Sequence, residues 1–94
     1  MAHPSEADWI EFDDGNESHC AGHGVTPSEL TQVFENEPLW ARNKKGRTAA
    51  WLMVGRTLGG RAIVAAVEYD EIRSAVRPIT ARECESHEIS LWRL

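Results

Sequence analysis

Residues 47–69 read RTAAWLMVGRTLGGRAIVAAVEY, and this stretch decides the fold. Residues 47–57 favour a strand, and the following Leu58-Gly59-Gly60 predicts a tight turn. Residues 61–69 then favour a second strand, which is apolar on both faces. The stretch therefore predicts an antiparallel hairpin.

Further strands are predicted on both sides of this hairpin. Leu39-Trp40-Ala41 favours a short strand, which the turn signal Asn43-Lys44-Lys45-Gly46 separates from the hairpin. Residues 72–80 predict a third strand of the meander, in which Pro78 fits an edge or a bulge better than a central position. Near the N-terminus, residues 9–12 (Trp-Ile-Glu-Phe) alternate enough for one more short strand.

Three helices are predicted around these strands. The second has the clearest signals, because Thr26 is a good N-cap, Pro27 suits the first helical position and Glu29 completes a capping box. This helix should end near Asn36. The other two helices are predicted at residues 16–23 and 81–92. The expected fold class is α+β: two N-terminal helices, an antiparallel sheet of three to four strands and a C-terminal helix, with the helices on one face of the sheet.

The chain has 94 residues, which predicts one domain, 1–94, with residues 1–8 as a flexible tail. Its charge is divided unevenly along the chain. All ten lysines and arginines lie between Arg42 and Arg93, whereas residues 1–41 carry nine of the fifteen acidic residues. A local positive field attracts an anionic partner even though the net charge is −5. We therefore expect the functional site in the second half of the chain.

Several classes of protein are disfavoured by composition. No apolar run approaches the roughly 20 residues that a membrane-spanning helix needs. The start of the chain lacks the features of a signal peptide, so a cytoplasmic protein that does not contact a membrane is expected. Cys20 and Cys84 lack CxxC spacing, which favours two free thiols. His19 and His23 could share a helix face, but no HExxH motif or third ligand accompanies them, so neither a metal nor a cofactor is expected.

The arginines are the main chemical signal. Arg56 ends one predicted strand, Arg61 opens the next, and Arg82 follows the third strand. Guanidinium groups bind phosphate oxygens bidentately and stay charged at physiological pH. We expect these three side chains to lie on a common concave surface, where they would hold a nucleic-acid backbone. The alternative is that each arginine forms a surface ion pair with a nearby carboxylate.

Several ordered pieces between Ile10 and Trp92 resemble the BrnT family of type II toxins, which are small ribonucleases of RelE-like architecture. The pieces are DDGNESHCAGHGVTPSEL, then VF, KKGR, VGRTLGGRAIV and ITARECESHE. The matching positions are His23-Gly24-Val25 before a helix, Gly55-Arg56 and Gly60-Arg61 around a turn, and Ile79-Thr80-Ala81-Arg82 followed by Glu88 and Trp92.

The chain departs from this family pattern at three places. Gly22 stands where many members have a basic residue, and Trp92 stands where a tyrosine is common. The last predicted helix is acidic, whereas in members it is often rich in arginine. These differences remove positive charge from the surface that would face RNA.

The resemblance implies an endoribonuclease that inhibits translation, needs no metal, and is neutralised by a ribbon-helix-helix antitoxin encoded nearby. DNA would be bound only indirectly, through the antitoxin. Arg56, Arg61 and Arg82 would stabilise the phosphorane that forms when the ribose 2′-OH attacks its phosphate. The general base could be His23 or Glu68, or the site could have no classical base. The imidazole of His19 could also act as an acid or a base. His87 is expected to be exposed.

RNA would be held by residues near the basic turn and on the third strand. The residues expected to bind RNA are Lys45, Arg47, Arg77 and Trp40. Trp40 flanks the basic turn and is the candidate for stacking on a base or for meeting a partner protein. The alternative function is a non-catalytic module of the toxin fold, which binds a protein partner or regulates its own operon. The net charge and the acidic last helix favour this alternative.

Overall fold

The computed structural model describes residues 2–47 and 49–94, which form one five-stranded sheet and three α-helices. The elements in chain order are a 3-10 helix at Pro4–Glu6, β1 at Trp9–Ile10, α1 at Asp14–Gly22, α2 at Pro27–Glu35, β2 at Leu39–Arg42, β3 at Trp51–Arg56, β4 at Ala62–Asp70, β5 at Ala75–Glu83 and α3 at Ser86–Leu91. The α+β class is therefore confirmed, whereas the arrangement of its elements differs from the expected one.

The strands lie in the order β1-β5-β4-β3-β2. β2, β3, β4 and β5 pair with one another in antiparallel fashion, but β1 runs parallel to β5, with Trp9 opposite Ala75 and Ile10 opposite Val76. The prediction of an antiparallel sheet of three to four strands is wrong, because it left out this parallel pairing. β1 has only two residues, and its partner strand is distant in the sequence. The local sequence therefore gives no signal of whether the two strands run parallel or antiparallel.

One face of the sheet is covered by α1 and α2. α1 packs against β5, and α2 packs against β3 and β4. The buried residues between these helices and the sheet form the helix-side core: Cys20, Val25, Leu30, Val33, Met53, Ile63, Ala65, Val67, Val76 and Ala81.

The opposite face is partly covered by α3 and the chain end. Its buried residues form the α3-side core, Val54, Ala62, Val64 and Cys84, against which Leu52, Ile89, Trp92 and Leu94 pack. The expectation that all helices share one face is therefore wrong. Neighbours such as Ile63 and Val64 point to opposite sides of β4, and because both sides are apolar, both must be covered.

The element boundaries differ most after β4. The strand predicted at residues 72–80 is Ala75–Glu83, and the helix predicted from residue 81 begins only at Ser86. Residues 81–83 extend β5 because they pair with β4, as in the pair formed by Ile63 and Glu83. Pro78 lies opposite Val67 at a shift of register, so the prediction of a bulge is confirmed.

The described part of the N-terminal segment contacts the rest of the molecule. Pro4 is buried, and the amide of Asp8 donates to the Ser74 carbonyl at 2.7 Å. That residues 1–8 form a flexible tail stays a prediction. Met1, and Thr48 of the predicted strand 47–57, lie outside the described residues. None of the helices that the structure describes is long and apolar enough to cross a membrane.

Candidate functional site

A groove of about 840 Å³ lies on the α3-bearing face of the sheet. Its floor consists of the apolar residues Leu52, Val64 and Ala66 together with Thr80, which come from β3, β4 and β5. Leu91 and Trp92 form an apolar margin at the end of α3. A polar ligand would therefore meet an apolar floor with charged groups around it.

The charged residues around the groove are mainly basic. Arg42, Lys44 and Arg47 come from the end of β2 and the loop that follows it, and Arg82 comes from β5. Among the described residues that line the groove, Glu88 is the one carboxylate. The groove therefore brings together four of the ten basic residues of the chain.

Arg82 is held by a buried carboxylate of α3. Its Nη1 donates to Glu88 Oε1 at 2.6 Å and its Nη2 donates to Oε2 at 2.8 Å, while the backbone amide of Glu85 also donates to Oε1. The Arg82 hydrogen bonds lower the pKa of Glu88 to about 2. A guanidinium has five N–H donors, so a half-exposed Arg82 keeps donors for a phosphate.

Arg61 lies on the other face of the sheet. Its Nη1 donates to the Gly24 carbonyl at 2.8 Å and to Glu29 Oε2 at 2.8 Å, and its Nε donates to Glu83 Oε1 at 3.3 Å. The hydrogen bond from Arg61 lowers the pKa of Glu29. The expected common surface of Arg56, Arg61 and Arg82 is therefore wrong, since Arg61 faces α2 and Arg82 faces α3.

Several other predicted residues lie away from the groove. Arg56 donates to the Gly60 carbonyl at 2.5 Å and so closes its own hairpin turn. Arg77 pairs with Asp13, and it lines a separate cavity together with Glu68 and other acidic residues. Trp40 is half-buried against the helix-side core. The structure thus separates Arg56, Arg77, Trp40 and the candidate base Glu68 from the groove.

The basic loop and the histidines meet at the groove. Arg47 lines it, and the exposed Lys45 is the neighbour of Lys44, which lines it too. His23 follows α1 and lines a recess of about 130 Å³, whose walls include Thr80 and Arg82 of the groove. The structure therefore brings Arg47, Arg82 and His23 to adjoining cavities.

Two further histidines line the groove itself. His19 comes from α1, and its ring meets the His23 ring edge-to-face with centroids 5.2 Å apart. His87 comes from α3 and its side chain is 73% exposed, as predicted, but it stands at the groove. The sequence places α1 and α3 far apart, so no spacing could show that these two imidazoles share one cavity.

No cluster of three potential ligands in residues 2–47 and 49–94 could hold a metal ion. Neither a protein-family model nor a curated protein matches this chain. The groove offers cationic groups that can bind an anion and imidazoles that can transfer protons.

Proposed function

We propose that this chain is a metal-independent endoribonuclease of the toxin type, as its resemblance to the BrnT family implies. The observation that carries the proposal is the groove, where Arg42, Lys44, Arg47 and Arg82 surround an apolar floor next to imidazoles. Cationic groups bind phosphate, and imidazoles can transfer the protons of RNA cleavage without a metal.

In the proposed reaction the ribose 2′-OH attacks the adjacent phosphorus. One imidazole at the groove accepts the hydroxyl proton, and another proton is delivered to the leaving 5′ oxygen. Arg82 and Arg47 stabilise the charge on the phosphorane, and Lys44 and Lys45 hold the neighbouring phosphates. Arg56 and Arg61 have no part in this revised set, because they bond to Gly60 and to Glu29.

The proposed partner is a ribbon-helix-helix antitoxin encoded nearby, through which any contact with DNA would be made. Residues 1–41 support a basic partner, since they contain nine acidic residues and no lysine or arginine. Opposite charge of this kind accelerates association and guides orientation.

The test is cleavage of single-stranded RNA by the purified chain in EDTA, together with growth during induced expression with and without the neighbouring antitoxin. Arg47→Ala should slow cleavage about 10-fold or more, because one charge-assisted hydrogen bond contributes about 1.5–3 kcal/mol. Arg73→Ala is the matched control, because Arg73 pairs with Glu11 away from the groove and should cleave as the wild type does.

A second candidate function is a non-catalytic module that binds a protein partner. The observation in its favour is that carboxylates already neutralise two arginines, in the pairs Arg82–Glu88 and Arg61–Glu29. Intact RNA and normal growth at high expression, together with binding of the antitoxin, would favour this module over the ribonuclease.

A further inference from the structure

The three histidines next to the groove differ in what surrounds them. His19 and His87 line the groove of about 840 Å³, which also contains the basic residues. His23 lines the recess of about 130 Å³. Five of the seven residues that line the recess also line the groove, so His23 adjoins the same cavity, whereas His19 and His87 line its larger part. The volume of the groove lies in the range of roughly 300–1,000 Å³ that is typical of small-molecule sites.

His19 and His87 reach the groove from different helices. α1 packs against β5, and α3 follows β5 directly along the chain, so both helices are anchored to the strand that carries Arg82. A phosphate bound by Arg82 would therefore have an imidazole from each helix in its surroundings. General acid–base cleavage of a phosphodiester needs two proton-transfer groups, one for the attacking oxygen and one for the leaving oxygen.

We propose, on the basis of the ribonuclease function above, that His19 and His87 are the general acid–base pair of the groove. One neutral imidazole removes the 2′-OH proton as O2′ forms its bond to phosphorus. The P–O5′ bond breaks, and the other, protonated imidazole gives its proton to O5′. The products are a 2′,3′-cyclic phosphate and a 5′-hydroxyl, and no co-reactant is consumed.

His23 acts as a positioning residue in this arrangement. Its ring contacts the His19 ring edge-to-face, at a centroid distance of 5.2 Å, which favours one orientation of His19. His87 Nδ1 lies 3.4 Å from Glu85 Oε2, and both side chains are exposed. The charged groups that face the two imidazoles are Arg42, Lys44, Arg47, Arg82 and Glu88 of the groove, together with Glu85.

The experiment measures the rate of RNA cleavage between pH 5 and pH 9, in EDTA, for the wild type and for His19→Gln and His87→Gln. The wild type should give a bell-shaped profile. Each variant should lose about 100-fold or more in rate, and the two should lose opposite limbs of the bell. His23→Gln should lower the rate less and keep both limbs. His3→Gln is the matched control, since His3 packs against Trp51 on the helix-covered face.

A second readout does not depend on cleavage. NMR signals of the His19 and His87 rings should shift when an RNA with methylated 2′-hydroxyls is added, and the His3 signal should not. If the wild type cleaves but both variants keep the wild-type rate and both limbs, the acid–base pair is wrong and the ribonuclease stands. If the wild type binds this RNA but cleaves no RNA, both proposals fail.

Discussion

Glu88 shows how one buried charge can be stabilised by its neighbours. The residue is 7% exposed, which removes most of the water that would solvate its carboxylate. Two hydrogen bonds from Arg82 and one from the Glu85 amide replace that water. The charged form is favoured as a result, and the pKa falls from 4.5 to about 2.

The lowered pKa of Glu88 predicts acid sensitivity. The unfolded chain binds a proton near pH 4.5 and the folded chain only near pH 2, so the stabilisation is complete above pH 4.5 and is lost as the pH falls towards 2. Glu88→Gln should lower the free energy of unfolding at pH 7 by about 1.5–3 kcal/mol and should flatten its decline between pH 5 and pH 2. Urea unfolding at several pH values measures both effects. Glu71→Gln, in the exposed β4–β5 turn, is the control. If stability falls with pH as steeply in Glu88→Gln as in the wild type, the lowered pKa of Glu88 is not the cause of the acid sensitivity.

At the level of elements, Arg61 joins β4 to the beginning of α2. Glu29 accepts from the Thr26 amide at 3.1 Å, which completes the capping box of α2, and it also accepts from Arg61. Arg61 additionally binds the Gly24 carbonyl in the loop between α1 and α2. One guanidinium therefore fixes the start of α2 relative to the central hairpin.

This network predicts that Arg61 and Arg47 have separable roles. Arg61→Ala should lower the free energy of unfolding by about 1.5–3 kcal/mol, because it removes charge-assisted hydrogen bonds. Its affinity for RNA should stay within about twofold of the wild type, since Arg61 faces away from the groove. Arg47→Ala should leave the free energy of unfolding unchanged and should weaken the affinity for RNA. Thermal unfolding and RNA titration of both variants are the measurements. An Arg61→Ala protein that is as stable as the wild type but binds RNA poorly would show that Arg61 belongs to the RNA-binding site.

Local signals explain which elements could be predicted. α2 was located almost completely, because Thr26, Pro27 and Glu29 act within one turn of helix. The end of β5 could not be located, because Arg82 belongs to a strand only through its partner Val64. The same limit applies to the site. Charge along the chain indicates Arg47 and Arg82, but the face on which a strand residue lies changes with every position.

The whole molecule separates its charges in space. Basic residues predominate around the groove, whereas acidic residues predominate in the cavity near the β4–β5 turn, among them Glu11 after β1, Asp70 of β4 and Glu71 of the turn. The sequence predicts the imbalance between the two halves of the chain. It could not predict the groove, because the groove needs residues of α1, the β2–β3 loop, β5 and α3 to meet around one cavity.

This distribution predicts how salt affects RNA binding. The four basic residues of the groove, if all contact phosphates, give a slope of about −3 in log affinity against log salt concentration for a single strand. Arg47→Ala should make that slope shallower by about 0.7, and Arg73→Ala should leave it unchanged. Fluorescence titrations at several salt concentrations provide the slope. An equal change of slope for both variants would mean that RNA does not bind preferentially in the groove.

The two free thiols lie in different layers of the molecule. Cys20 belongs to the helix-side core and Cys84 to the α3-side core, and burial raises the pKa of both thiols. A thiol reacts as its thiolate, so both are inert while their layers stay closed. The rate of labelling at each cysteine therefore reports the local opening of its own layer, and the chain has a natural probe for each face of its sheet.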